Sequence, residues 1–124
     1  AFAMTVDYIK QRTQFGRPVG SFQALQHRAA HLYSELELVK SATLKSLQAL
    51  DENFGMAGVF CSLAKAKAGD VAKLASQEAI QMFGGVGMTD EFDIGFYMKR
   101  IRVAQEMFGD HAFHADRIAR MRGY

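Results

Sequence analysis

The chain has 124 residues, one domain's worth, and 49% of them are hydrophobic, enough to bury a core. Fifteen basic residues against 13 acidic ones leave a net charge of +2, so the sequence pI of about 8.8 reflects a small excess and no basic stripe, which argues against a nucleic-acid partner. No apolar run reaches the roughly 20 residues of a membrane span, and no charged leader with a cleavage site is visible.

The single cysteine, Cys61, has no internal disulfide partner and fits a reducing compartment, either a bacterial cytoplasm or a mitochondrial matrix. It sits inside a helical apolar pattern and reads as a packed residue, not a nucleophile. The opening "AFAMTVDYIK" begins without Met, within a helical pattern, so a piece of a longer polypeptide is expected.

From Ala1 to about Thr13, Phe2, Val6, Ile9 and Thr13 recur at steps of four and three, one face of a helix. "QFGRPVGS" breaks it, because Gly16 and Gly20 permit turns and Pro18 cannot continue a helix. The Ser21 hydroxyl is placed to cap a second helix running to about Asp51. Its stripe is Phe22, Leu25, Ala29, Leu32, Leu36, Val39, Thr43, Leu47 and Leu50, a spacing suited to bundle packing.

"DENFGMAG" is the next break. A third long helix follows to about Phe83, with Ala64, Ala68, Val71, Ala75, Ala79 and Met82 on one face. Small residues in a row let a neighbouring helix approach closely. Lys65, Lys67 and Lys73 read as its solvated side. "GGVGMTDE" is the main loop. A shorter helix is expected over Asp93–Phe108 and a last one from Asp110 to Met121. No internal repeat and no strand is expected. The pattern predicts an all-α, antiparallel up-down helical bundle, one unit over residues 1–124.

Three motifs carry polar chemistry. In "RTQFG", Arg12 offers a planar fork suited to phosphate or carboxylate, Gln14 an amide and Phe15 a flat apolar face. In "QMFGGVGM", Gly84 and Gly85 can end the third helix, and Gln81 supplies an amide donor and acceptor. Those glycines follow a helix, whereas the dinucleotide fingerprint follows a strand, so that fingerprint does not apply. In "DHAFHAD", His111 and His114 are three apart with Asp110 one turn before His114, but H-E-x-x-H is absent, and acidic residues starting a helix explain the pattern without a metal.

Together the motifs are specific. "YIKQRTQFGRPVGSFQALQ" followed by "QEAIQMFGGVGM" resembles the C-terminal helical domain of acyl-CoA dehydrogenases. Arg12, Gln14, Phe15, Gly16, Pro18, Phe22, Gln23 and Gln26 match the family's first block. Gln81, Phe83, Gly84, Gly85, Gly87 and Thr89 match its second. The resemblance covers essentially the whole chain. It implies a longer flavoprotein, with a helical N-terminal domain and a central β domain, that removes α- and β-hydrogens from an acyl-CoA thioester. It implies FAD as cofactor, bound between subunits of a dimer or homotetramer, with Arg12, Gln14, Phe15, Gln23, Gln81, Phe83, Gly84 and Gly85 as cofactor-contacting positions. Gly109 stands where the family's turn meets substrate, and electron-transfer flavoprotein is the implied acceptor. The isolated domain is expected to be inactive.

One departure bears on catalysis. Many members carry their base in Y-E-G-T, which here reads Met107-Phe108-Gly109-Asp110. Phe108 cannot take a proton. The base is then expected on the helix segment upstream of Ala1, or in a partner subunit if this one is catalytically silent. Asp110 or Glu106 are local alternatives, although Asp110 is shorter and displaced by two positions. After the glycine loop, Glu91 is kept, while Asp93, Phe96 and Arg100 depart from the family pattern. The "EFDIG" stretch also resembles subunits acting on dicarboxylyl- or steroid-type acyl-CoA.

Overall fold

In the computed structural model, which describes residues 1–124, five α-helices follow one another: α1 Phe2–Gln11, α2 Gln23–Glu52, α3 Phe54–Phe83, α4 Ile94–Glu106 and α5 His111–Arg122. The all-α bundle expected from the periodicity is present. α2 and α3 form a long hairpin with only Asn53 between them. Arg28 pairs with Glu78 and Glu35 with Lys67, so the partner's number falls as the first rises and the helices run antiparallel. α5 lies along α3 in the opposite sense, with His111 beside Asp70 and Met121 beside Gly58.

α1 ends earlier than expected. Thr13–Gln14 (β1) pairs antiparallel with Arg17–Pro18 (β2) in a two-residue hairpin, so Thr13 is exposed and not on the helix face. Phe15 and Gly16 take the tip of that hairpin at φ +53 and +76. A strand this short has no periodicity to detect. Ser21 does not cap α2. Its hydroxyl donates to the Pro18 carbonyl at 2.7 Å and closes a 3₁₀ turn, Val19–Ser21, while Phe22 takes the cap position.

The α2 stripe holds through Val39 and then drifts. Ala42, Ser46 and Ala49 face α3, whereas Thr43, Leu47 and Leu50 are exposed. The step after Val39 is three residues, not four, which rotates the face by about 100°. Two predicted surface lysines are engaged: Lys67 pairs with Glu35, and Lys65 donates to the carbonyls of Ala104 and Gln105.

The core is thin: 19 of 124 residues are buried. On α3 most of it is small side chains, Ala57, Ala64, Ala75 and Ala79 among them, which bring α2 and α5 close. The larger residues gather at one end. Phe83 stacks on Tyr8 at 4.2 Å, and Phe92 meets both rings edge-on. Ile9, Val19 and Met82 pack beside them. Such aromatic pairs contribute about 0.5–1.5 kcal/mol beyond area burial. They fix the end of α1 against the end of α3, which is where the polar motifs lie.

Candidate functional site

Arg12 closes α1, and its backbone N–H donates to the Tyr8 carbonyl at 2.8 Å. Its own carbonyl accepts from Val19 at 2.8 Å, which ties the returning strand to the helix end. The chain therefore brings Gln14 back beside Arg12. From the other side, α3 ends at Gly84, whose φ of +68 turns the backbone sharply away. The result is a cavity of about 180 Å³ lined by Arg12, Gln14, Gln81, Phe83 and Gly84, together with Tyr8, Val19, Leu25 and Met82. Residues nearly seventy positions apart in sequence thus share one wall.

Arg12 has no acidic partner, so its fork is free for an anion. A second, larger hollow of about 590 Å³ shares Tyr8, Arg12 and Phe83 with the first and continues past Met4, Asp7, Gln11 and Phe92. The combined surface offers one guanidinium, several amides and flat apolar faces. That set suits a ligand with phosphates at one end and a ring system at the other.

Not every expected position lies in this groove. Phe15 is 89% exposed, edge-on to Phe22, whose ring also carries the Arg17 guanidinium at 4.1 Å. Gln23 is exposed at the start of α2, and Gly85 follows the lining residue Gly84 without lining the groove itself. These three are exposed and do not line the cavity of this chain.

The turn after α4 is a second element. α4 stops at Glu106, two residues short of the expected end, and Phe108 takes φ +62. An aromatic residue in the left-handed region is an outlier. Gly109 follows at φ +99, and a Cβ there would overlap the Phe113 ring. Asp110 caps α5, its Oδ1 accepting from the Phe113 backbone at 2.9 Å. The Phe108 side chain is 85% exposed.

The two histidines have separate roles. His111 Nδ1 lies 2.8 Å from Asp70, near the surface, whereas His114 is buried with Nε2 3.0 Å from the Phe108 carbonyl. No three His, Cys, Asp or Glu side chains come close enough to hold a metal ion. Asp93, Phe96, Tyr97 and Arg100, on the outer side of α4's first turns, line a separate depression of about 340 Å³.

The family model for the acyl-CoA dehydrogenase C-terminal domain matches residues 1–122. The chain belongs to the acyl-CoA dehydrogenase family. Acyl-CoA dehydrogenase IpdE2 of Mycolicibacterium smegmatis is 36% identical over 106 residues, covering 86% of this chain and 32% of that protein. The bovine mitochondrial short/branched chain specific acyl-CoA dehydrogenase is 33% identical over 119 residues, covering 96% of this chain and 27% of its own length. Butyryl-CoA dehydrogenase from Megasphaera elsdenii superposes with a TM-score of 0.89 at 29% identity, over 95% of this chain and 30% of that one. The chain thus spans about a third of the relatives it matches.

Within this acyl-CoA dehydrogenase domain, sequence reasoning missed Tyr8, Val19, Leu25 and Met82 as groove residues. Tyr8 was detectable: it lies four residues before Arg12, on the same helix face. The others contribute apolar walls, which periodicity assigns to the core without saying where the core opens.

Proposed function

We propose that the full-length protein is an FAD-dependent acyl-CoA dehydrogenase and that this domain holds the adenosine-diphosphate portion of the cofactor. The convergence of Arg12, Gln14, Gln81 and Gly84 on one cavity carries this reading. The donor set fits the group. Arg12 offers a bidentate fork for a pyrophosphate, the Gln14 and Gln81 amides donate to phosphate or ribose oxygens, and the turn at Gly84 lets backbone come close. Phe15, Gln23 and Gly85, which lie outside the cavity, reach the bound cofactor when a second subunit sits alongside. Bound FAD would supply the hydride acceptor for α,β-dehydrogenation of an acyl-CoA thioester.

The residues of this chain chiefly position and exclude. Phe108 occupies the position of the usual glutamate on the turn, and Gly109 beside it is assigned to substrate contact. Asp110 is committed to capping α5. The favoured source of the base is the helix segment before Ala1 or a partner subunit, with Asp110 and Glu106 as the local alternatives.

The partner reading, in which this is a silent assembly subunit of a heteromeric enzyme, draws on Phe108 and on the apolar surface of α2. Leu44, Leu47 and Leu50 are all more than two-fifths exposed at three-residue spacing, and Phe54 follows at the hairpin. A face like that suits a dimer or tetramer contact. Electron-transfer flavoprotein is the proposed electron acceptor, and acyl-CoA the substrate. No helix of the chain is long and apolar enough to cross a membrane; a bacterial cytoplasm or mitochondrial matrix is the proposed location.

The test is the full-length protein purified alone and with its neighbouring subunits, with flavin measured by absorbance. Wild type is expected to carry FAD, and Arg12→Ala to lose most of it, a bidentate charged contact contributing about 1.5–3 kcal/mol. A full-length protein that never retains flavin, alone or in complex, would sink the reading.

A further inference from the structure

The turn Met107–Asp110 is held from one side by a residue no motif singles out for that role. His114 is 5% exposed, and its Nε2 lies 3.0 Å from the carbonyl oxygen of Phe108, six residues earlier. A carbonyl can only accept, so Nε2 carries the proton and donates. Nδ1, on the other side of the ring, is buried with no partner. An unpartnered buried nitrogen is unfavourable, and an apolar residue of similar size would avoid it. What the imidazole offers in return is the bond to Phe108.

That bond falls at the strained point. Phe108 sits at φ +62, a conformation that persists only where the surroundings impose it. The imposition comes from both sides. The Phe113 ring covers Gly109, and its edge contact with the His114 ring, centroids 5.1 Å apart, keeps the imidazole in place. The Asp110 cap fixes the start of α5, which carries both rings.

We propose that His114 is a positioning residue: through the Phe108 carbonyl it fixes the direction in which residues 108 and 109 are presented to the acyl-CoA thioester. The inference rests on the assignment of this turn to substrate contact. It adds a specificity-setting group from α5 that is neither base nor cofactor ligand.

The experiment uses the full-length FAD-loaded protein, with its partner subunit if one is required. Three variants are compared: His114→Gln, whose amide can still donate to the carbonyl; His114→Phe, which keeps a buried ring without a donor; and His114→Ala. Affinity for an acyl-CoA thioester is read from the perturbation of the flavin spectrum, and backbone hydrogen exchange is followed over residues 107–113. Loss of the tether is expected to weaken thioester binding about tenfold in the Phe and Ala variants, while Gln stays close to wild type and all three keep their FAD. Exchange over the turn should quicken in the same two variants and not in Gln. Equal affinity and equal exchange in the Phe variant and wild type would overturn the proposal, as would a Gln variant that behaves like Ala. If wild type binds FAD but no thioester, the substrate assignment of the turn falls and the proposal with it. Quickened exchange would then mark a structural tether only. Absence of FAD in wild type would instead count against the broader function.

Discussion

Lys65, in the middle of α3, reaches the carbonyl oxygen of Ala104 at 3.2 Å in the last turn of α4. It also reaches that of Gln105 at 3.1 Å, while the Gln105 side chain returns a bond to the Gly69 carbonyl at 3.1 Å. The last carbonyls of a helix lack partners within it and carry its partial negative charge. A cation at that end satisfies both needs. Lys65→Met keeps most of the stem and removes the charge; it is expected to cost about 1–2 kcal/mol, read as a lower denaturant midpoint with an unchanged slope. No change in midpoint would show the contact to be incidental.

Gly109 should not tolerate a side chain. Its φ of +99 disfavours any Cβ, and the added atom would overlap the Phe113 ring. Gly109→Ala is expected to destabilise by about 1–3 kcal/mol and to shift the turn, whereas the unobstructed Gly95 should accept Ala at little cost or with a small gain in helix stability. Gly95 is half-buried with open space around an added Cβ, and thermal unfolding of the two variants side by side is the check.

Phe108 carries no proton, so the acid limb of the pH–rate profile should come from another residue. Phe108→Leu in the full-length protein, or in its complex, is expected to leave that limb where it stands even if KM changes. A displaced limb would mean that the base is local and is sensed through this turn.

The Glu35–Lys67 pair gives stability a pH dependence. The hydrogen bond from Lys67 is the main cause that holds the Glu35 carboxyl below its ordinary value of 4.5, with the nearby charges of Lys67 and His31 helping and partial desolvation opposing. A depressed folded-state value means the unfolded chain binds the proton more readily. The contribution is therefore fully present above the ordinary glutamate range and lost as pH falls through the folded value. Both side chains are partly exposed, so the effect is small and weakens with salt. Wild type should lose stability faster than Glu35→Gln as pH drops below about 4.5. Parallel curves would show that the pair contributes nothing.

Much of this protein follows from local rules. Alternating steps of three and four give the helices, Gly84 gives the end of α3, and Asp110 gives the start of α5, because a helix end must find partners for its own backbone groups. The pairing of "RTQFG" with "QMFGGVG" came from the family resemblance, since neither motif by itself calls for a ligand. Where the structure departs from that pattern, a competing local turn or a non-local contact decided. Ser21 turned to the Pro18 carbonyl three residues back, inside the 3₁₀ turn that follows the β1–β2 hairpin. Lys65 and Lys67 were engaged only because α4 and α2 lie beside α3. The α2 face drifted because a thirty-residue helix accumulates rotation that a pattern of threes and fours does not fix.

The sequence by itself determined the helices, their order and the chemical types held ready at the ends of α1 and α3. Only the tertiary structure decided that Arg12, Gln14, Gln81 and Gly84 share one cavity, that Phe15 and Gln23 lie outside it, and that His114 reaches back to the Phe108 carbonyl. Periodicity reports which face of a helix is apolar. It carries no record of which other helix end, sixty or seventy residues away, that face will meet.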